Sequence, residues 1–160
     1  MLLKIGGPCW IICKAQGQLL ILIAVFESKE GEAAFNGLTA TIADYKKIGR
    51  RVYLVLPIPK GEAFDPAGLV KRSIVDLGFV VQQQVERAAA DASIKSTSSR
   101  LFQIASSTGA TIIDPVPSIC HDYCPTLADD GTPVYTDNSH LRPAYVRDHI
   151  TFLDSIVTLD

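Results

Sequence analysis

The apolar positions of this chain follow two rhythms, and the changes between them mark its elements. Leu19 to Phe26 is an unbroken apolar run, as expected of a strand buried on both faces. From Gly31 to Ile48, Ala33, Ala34, Leu38, Ile42, Tyr45 and Ile48 return at three- and four-residue intervals. This predicts a helix capped by Gly49. Arg51 to Leu56 is a second strand, stopped by Pro57 and Pro59. Asp65-Pro66 predicts the start of a helix over 67–77, with Asp65 as N-cap and Pro66 in the first helical position. Gln82 to Thr108 is a long polar helical pattern, interrupted near Ser96–Ser99. Its buried stripe would be Val85, Ala88, Ala92, Leu101, Ile104 and Ala105, and Gly109 ends it. Ala110 to Asp114 is a third strand. Pro115 to Asp137 reads as a loop with a turn at Asp129-Asp130-Gly131. A last helix over 143–157 would turn Tyr145, Val146, Ile150, Leu153 and Ile156 inward.

The order β-α-β-α-α-β-loop-α predicts an α/β fold, a three-layer α/β/α flavodoxin-like parallel sheet. At 160 residues the chain can bury a full core, and 48% hydrophobic residues exclude disorder. The net charge of −2 comes without a basic cluster, so nucleic acid is not an expected partner. The run from Leu19 to Phe26 is much shorter than the ~20 residues a membrane helix needs. Lys4 followed by Ile5 to Cys13 has the outline of a signal peptide, but no small-x-small cleavage site follows.

The four cysteines fall into two pairs of equal spacing, Cys9/Cys13 and Cys120/Cys124. Cys120 and Cys124 lie in a polar loop before Pro125, which suits a local disulfide in an oxidising compartment. Zinc held by both pairs, or free thiols, are the other readings. No cofactor motif and no metal-ligand set stands out elsewhere.

In an open α/β sheet, chemistry collects at the carboxyl ends of the strands. The loops there are Glu27 to Glu30, Pro57 to Asp65, and Asp114 to His140. The last ends in Asp137-Asn138-Ser139-His140. This spacing lets a carboxylate orient an imidazole and stabilise its charged form, as a general base requires. Taken alone, the same residues fit a capping Asp and a surface His.

Several features in order go beyond that spacing. Ile113-Asp114-Pro115 ends a strand; Ile119-Cys120 and Cys124-Pro125 bracket a short loop; Asp130-Gly131-Thr132-Pro133-Val134-Tyr135 leads into Asp137-Asn138-Ser139-His140-Leu141 and a helix. Upstream stand Arg51 to Pro59 and then Phe64-Asp65-Pro66. From Leu19 to Val157 the chain resembles an SGNH hydrolase domain, in particular the type fused to membrane O-acyltransferases of the O-antigen acetylase kind.

The resemblance implies a Ser-His-Asp site with His140 as general base and Asp137 as orienting acid. It also implies an extracytoplasmic or periplasmic setting and a bridge between Cys120 and Cys124. The implied substrate is an acylated or acyl-accepting carbohydrate, and the implied partner a membrane acyltransferase domain fused upstream. No cofactor or metal is implied. The family's nucleophile belongs to a Gly-Asp-Ser motif, and this sequence contains none. The family's glycine and Asn oxyanion donors have no counterpart either. The chain therefore reads as an unmatched leader, 1–18, followed by the C-terminal portion of such a domain, 19–160. It would be incomplete on its N-terminal side and inactive alone, with an open sheet edge beside Leu19 to Phe26. A non-catalytic α/β binding or interaction fragment is the alternative. Ser28, Ser139, His121 and His149 read as a helix cap, a loop hydrogen bonder and two surface histidines.

Overall fold

The computed structural model describes residues 2–5, 9–13, 19–24, 32–69 and 84–154. The apolar run becomes β3 (Leu19–Ala24), after β1 (Leu2–Ile5) and β2 (Cys9–Cys13). Helix α1 (Glu32–Lys47) then leads to β4 (Arg51–Val55). Two 3-10 turns follow, Glu62–Phe64 and Pro66–Leu69. Next come β5 (Gln84–Glu86), α2 (Arg87–Thr108) and β6 (Thr111–Ile113). The single helical turn α3 (Val116–Ile119), β7 (Tyr123–Pro125) and α4 (Pro143–His149) complete the order.

The chain divides into two compact units. The first comprises Met1–Pro57 with Lys95–Pro115, and the second Ile58–Ile94 with Val116–Asp160.

The first unit holds a five-stranded sheet of order β1-β2-β3-β4-β6. The three strands expected from the sequence are parallel, with Leu22 beside Leu54 and Leu54 beside Ile112. The other two strands were not expected. They are antiparallel and fall within the stretch read as a leader: Leu2 to Ile5 pairs with Cys9 to Ile12, and Cys9 to Cys13 with Leu20 to Ala24. β2 thus occupies the edge of β3 that was expected to be open.

The core of this unit joins Leu38 and Ile42 of α1, Val52, Leu54 and Leu56 around β4, and Leu101, Ile104 and Ala105 of α2. Helix α1 ends at Lys47 in a Schellman arrangement. Gly49 N–H donates to Lys46 O at 3.0 Å and Arg50 N–H to Tyr45 O at 3.0 Å. Ile48, placed on the inner face by spacing, is therefore past the helix and 68% exposed. Phe35, near the start of α1, packs against the core.

Helix α2 corrects the expected interruption near Ser96–Ser99, since it runs unbroken through that stretch. Its start is also later, because 84–86 is strand. With the phase continuous, the buried positions before Leu101 are Ala90 and Ile94, whereas Ala88 and Ala92 face solvent. Serine and threonine are weak helix formers, but here hydroxyls such as those of Ser93, Ser107 and Thr108 bond to carbonyls of the same helix.

In the second unit, the expected loop 115–137 contains α3 and β7. β7 pairs antiparallel with β5, bringing Val85 opposite Cys124. The helix expected over 67–77 shows as the 3-10 turn Pro66–Leu69, with the Asp65 carboxylate accepting from Ala67 N–H at 2.8 Å. Its remainder lies outside the described residues. Helix α4 stops at His149, eight residues short of the expected end, and Ile156 also lies outside the described residues.

The phase of α2 has a measurable consequence. Leu101→Ala should lower the unfolding free energy by about 2–5 kcal/mol. Its neighbour Phe102, 48% exposed, should tolerate alanine to within ~0.5 kcal/mol. Urea denaturation of the two variants checks this, and equal losses would contradict the helix phase.

Candidate functional site

The segment Val134 to Arg142 folds back on itself. Tyr135 bridges Leu141, Thr136 N–H donates to His140 O at 2.8 Å, and Arg142 N–H donates to Val134 O at 2.8 Å. Two short arms thus enclose the tip Asp137-Asn138-Ser139. Val134 and Tyr135 are fully buried, which anchors one arm, and Leu141 packs partly on the same core.

At the tip, Asp137 acts first on its own backbone. Oδ1 accepts from Ser139 N–H at 2.8 Å, His140 N–H at 2.9 Å and the Ser139 hydroxyl at 3.0 Å. This is an Asx turn, in which a short carboxylate side chain replaces backbone partners. With Oδ1 so occupied, Oδ2 sits 2.9 Å from His140 Nδ1, which is also 3.0 Å from Oδ1. The Ser139 N–H, the imidazole and the remaining donors hold the Asp137 carboxyl down to about 2, from an ordinary value near 3.8. An ionised carboxylate accepts only, so Nδ1 is the donor and Nε2 is left as the open acceptor.

Ser139 Oγ lies 3.2 Å from the same Nδ1. A nucleophile activated by this ring would have to reach Nε2 instead, since Nδ1 is engaged by Asp137. Ser139 is therefore a bonder within the turn, as its sequence position suggested. The His140 side chain is 70% exposed and that of Asp137 49% exposed.

A second loop of the same unit braces the tip. The Tyr135 hydroxyl donates to Pro59 O at 2.9 Å, and its ring meets that of Phe64 at 4.7 Å between centroids. Burial pushes the Tyr135 phenol far above its ordinary range. Gly61 N–H donates to Asn138 O at 2.7 Å, and the Asn138 amide reaches Glu62 Oε1 at 3.3 Å. The loop is also tied to α2 through Lys60 N–H on Ser93 Oγ at 3.2 Å.

Cys120 and Cys124 are joined by a disulfide with Cα atoms 4.2 Å apart, and both are buried with Tyr135 in one core. Bonded sulfurs offer zinc no thiolate pair at these positions. The Arg87 guanidinium donates to Cys120 O at 3.0 Å and to Asp91 at 2.8 Å, bracing the disulfide loop. Among the described residues no group of three or more His, Cys, Asp or Glu is placed to hold a metal ion.

Of the remaining histidines, His121 is exposed and His149 stacks on Tyr145 at 4.6 Å. Ser28 and Glu27 lie outside the described residues. Tyr135, Pro59, Gly61 and Asn138 were not singled out from the sequence. Tyr135 could have been suspected as an aromatic two residues before the Asp-x-x-His spacing, but nothing local marks Asn138 or Gly61 as partners.

The family described as SGNH domain (fused to AT3 domains) matches residues 14–148. Among solved structures, the chain is similar to the periplasmic domain of a lipopolysaccharide acetyltransferase of Salmonella ser. Paratyphi A. The TM-score is 0.62 at 14% identity, over 88% of this chain and 56% of the other. The chain thus spans little more than half the length of that domain, and at this identity the likeness is one of fold. No curated protein matches. None of the described helices is long and apolar enough to cross a membrane.

Two outcomes follow from this geometry. Because the Asp137 carboxyl is depressed, its support for the turn is fully present above its ordinary value near 3.8 and is lost as pH falls through about 2. The amide resonances of Ser139 and His140 should therefore hold steady down to pH 4 and move between there and pH 2. Tyr135→Phe removes the hydroxyl that donates to Pro59 O and should cost about 1–3 kcal/mol in chemical denaturation.

Proposed function

This chain belongs to the family of SGNH domains fused to AT3 domains, and on that premise we propose that it carries the acid–base half of an acyl-transfer site. His140 is the general base and Asp137 its orienting acid. The observation that carries the reading is the Asp137 carboxylate on Nδ1 at 2.9 Å with Nε2 left open.

In the proposed reaction, Nε2 takes the proton of a serine hydroxyl as its oxygen attacks an ester carbonyl. Asp137 stabilises the imidazolium, which then protonates the departing alkoxide, leaving an acyl-enzyme. The acyl group passes next to water or to a sugar hydroxyl, deprotonated by the same nitrogen. The substrate class is acylated or acyl-accepting cell-surface carbohydrate. The partner is a membrane acyltransferase domain of the AT3 kind, and the setting is periplasmic. The family's fusion to AT3 domains and the fold shared with a lipopolysaccharide acetyltransferase domain support these assignments.

The sequence contains no Gly-Asp-Ser, so the base serves a serine that these residues do not supply. A non-catalytic role is the second reading, and the same missing motif favours it. Loss of even one oxyanion donor costs ~2.7–4 kcal/mol, and loss of the nucleophile as well should leave no measurable chemistry in this chain alone. Purified protein and its His140→Ala variant should both hydrolyse p-nitrophenyl acetate at the buffer rate. Turnover well above buffer that vanishes in the variant would overturn the inactivity and point to another nucleophile, with Ser28 the first to replace.

A further inference from the structure

One peptide unit at the hairpin tip is gripped from both sides. The carbonyl of Asn138 accepts from Gly61 N–H at 2.7 Å. Across the same peptide bond, Ser139 N–H donates to Asp137 Oδ1 at 2.8 Å. A trans peptide is planar, with its carbonyl and N–H pointing in opposite directions. Fixing the carbonyl therefore aims the N–H. The Ser139 N–H is also the strongest influence holding the Asp137 carboxyl down. Linked hydrogen bonds of this kind polarise and strengthen one another.

The other end of the relay depends on glycine. Gly61 has φ 135° and ψ 174°, a combination reached essentially by glycine alone. Space is not the constraint, because an added Cβ would meet nothing within 4 Å. The conformation is set by Tyr135 on Pro59 O before it and by the 3-10 turn Glu62–Phe64 after it. Glu62 adds a second grip through the Asn138 amide.

We propose that Gly61 is a positioning residue for the Asp137–His140 pair, acting through the Asn138–Ser139 peptide. Its N–H turns that peptide so that Ser139 N–H occupies Oδ1, which leaves Oδ2 directed at Nδ1. The role rests on the reading of Asp137 and His140 as orienting acid and base.

The test compares Gly61→Ala with Gly131→Ala. Gly131 also has positive φ, 79°, and open space for a Cβ, but its N–H goes to Ala128 O. It controls for backbone strain away from the relay. In Gly61→Ala the Ser139 amide should exchange about tenfold faster, the loss of one ordinary hydrogen bond. The Asp137 carboxyl, followed by carbon-detected NMR, should rise from about 2 toward 3.8. Gly131→Ala should leave both unchanged. A folded Gly61→Ala protein with both readouts as in wild type would overturn the proposal, and so would equal changes in the control. Should Gly61→Ala fail to fold, the wild-type protein decides: a through-hydrogen-bond coupling from Gly61 N to Asn138 C′ supports the relay, and its absence refutes it. None of these readouts is turnover. An intact relay in a protein whose neutral His140 ring carries its proton on Nε2 would sink the base assignment alone.

Discussion

The Tyr135 side chain sets the geometry of the second unit. Its ring is fully buried against Phe64, and its hydroxyl is taken out of water with Pro59 O as acceptor. A buried hydroxyl is tolerated only where an acceptor waits, so the seat of the ring and the path of the proline-rich loop are chosen together. Once both are fixed, the two arms Val134–Thr136 and His140–Arg142 have one way to close. Asp137 then falls at the tip and His140 at the start of the returning arm, where its carbonyl accepts from Thr136 N–H. The Cys120–Cys124 disulfide lies in the same core and ties down the strand that leads into the hairpin.

Attraction between charges does little of this holding. His140 is mostly exposed and Asp137 half exposed, and at such exposure solvent and salt screen an ion pair to a fraction of its bare energy. The order comes from directional bonds: two backbone N–H groups and the Ser139 hydroxyl on Oδ1, and the Gly61 N–H on the carbonyl of Asn138. This has a chemical benefit. The carboxylate is immobilised before the imidazole binds, so the ring adopts a defined orientation without burying either charge. Nε2 stays accessible.

Much of this was legible in the residues, for identifiable reasons. The strands at Leu19, Arg51 and Thr111 and the helix from Glu32 carry strong periodicity that tertiary context did not override. The Asp137/His140 pairing was legible because an i,i+3 spacing in a polar loop needs only one local turn. Helix α2 misled because Ser96–Ser99 reads locally as a break, while Ile94, Leu101, Ile104 and Ala105 keep one face continuous through it. The strands at Leu2 and Cys9 were missed because the stretch 1–18 was weighed as a leader rather than as part of the sheet. Their register depends on pairing with Leu20 to Ala24, which no local pattern announces. The same holds for Gly61 and Asn138, 77 positions apart and joined only through the folded backbone.

The proposed base role turns on which imidazole nitrogen of His140 is held and which is free. Long-range proton–nitrogen NMR of the neutral ring distinguishes the two tautomers directly. The proton should reside on Nδ1, facing Asp137, with Nε2 bare. A ring carrying its proton on Nε2 would contradict the pairing and leave no base at this hairpin.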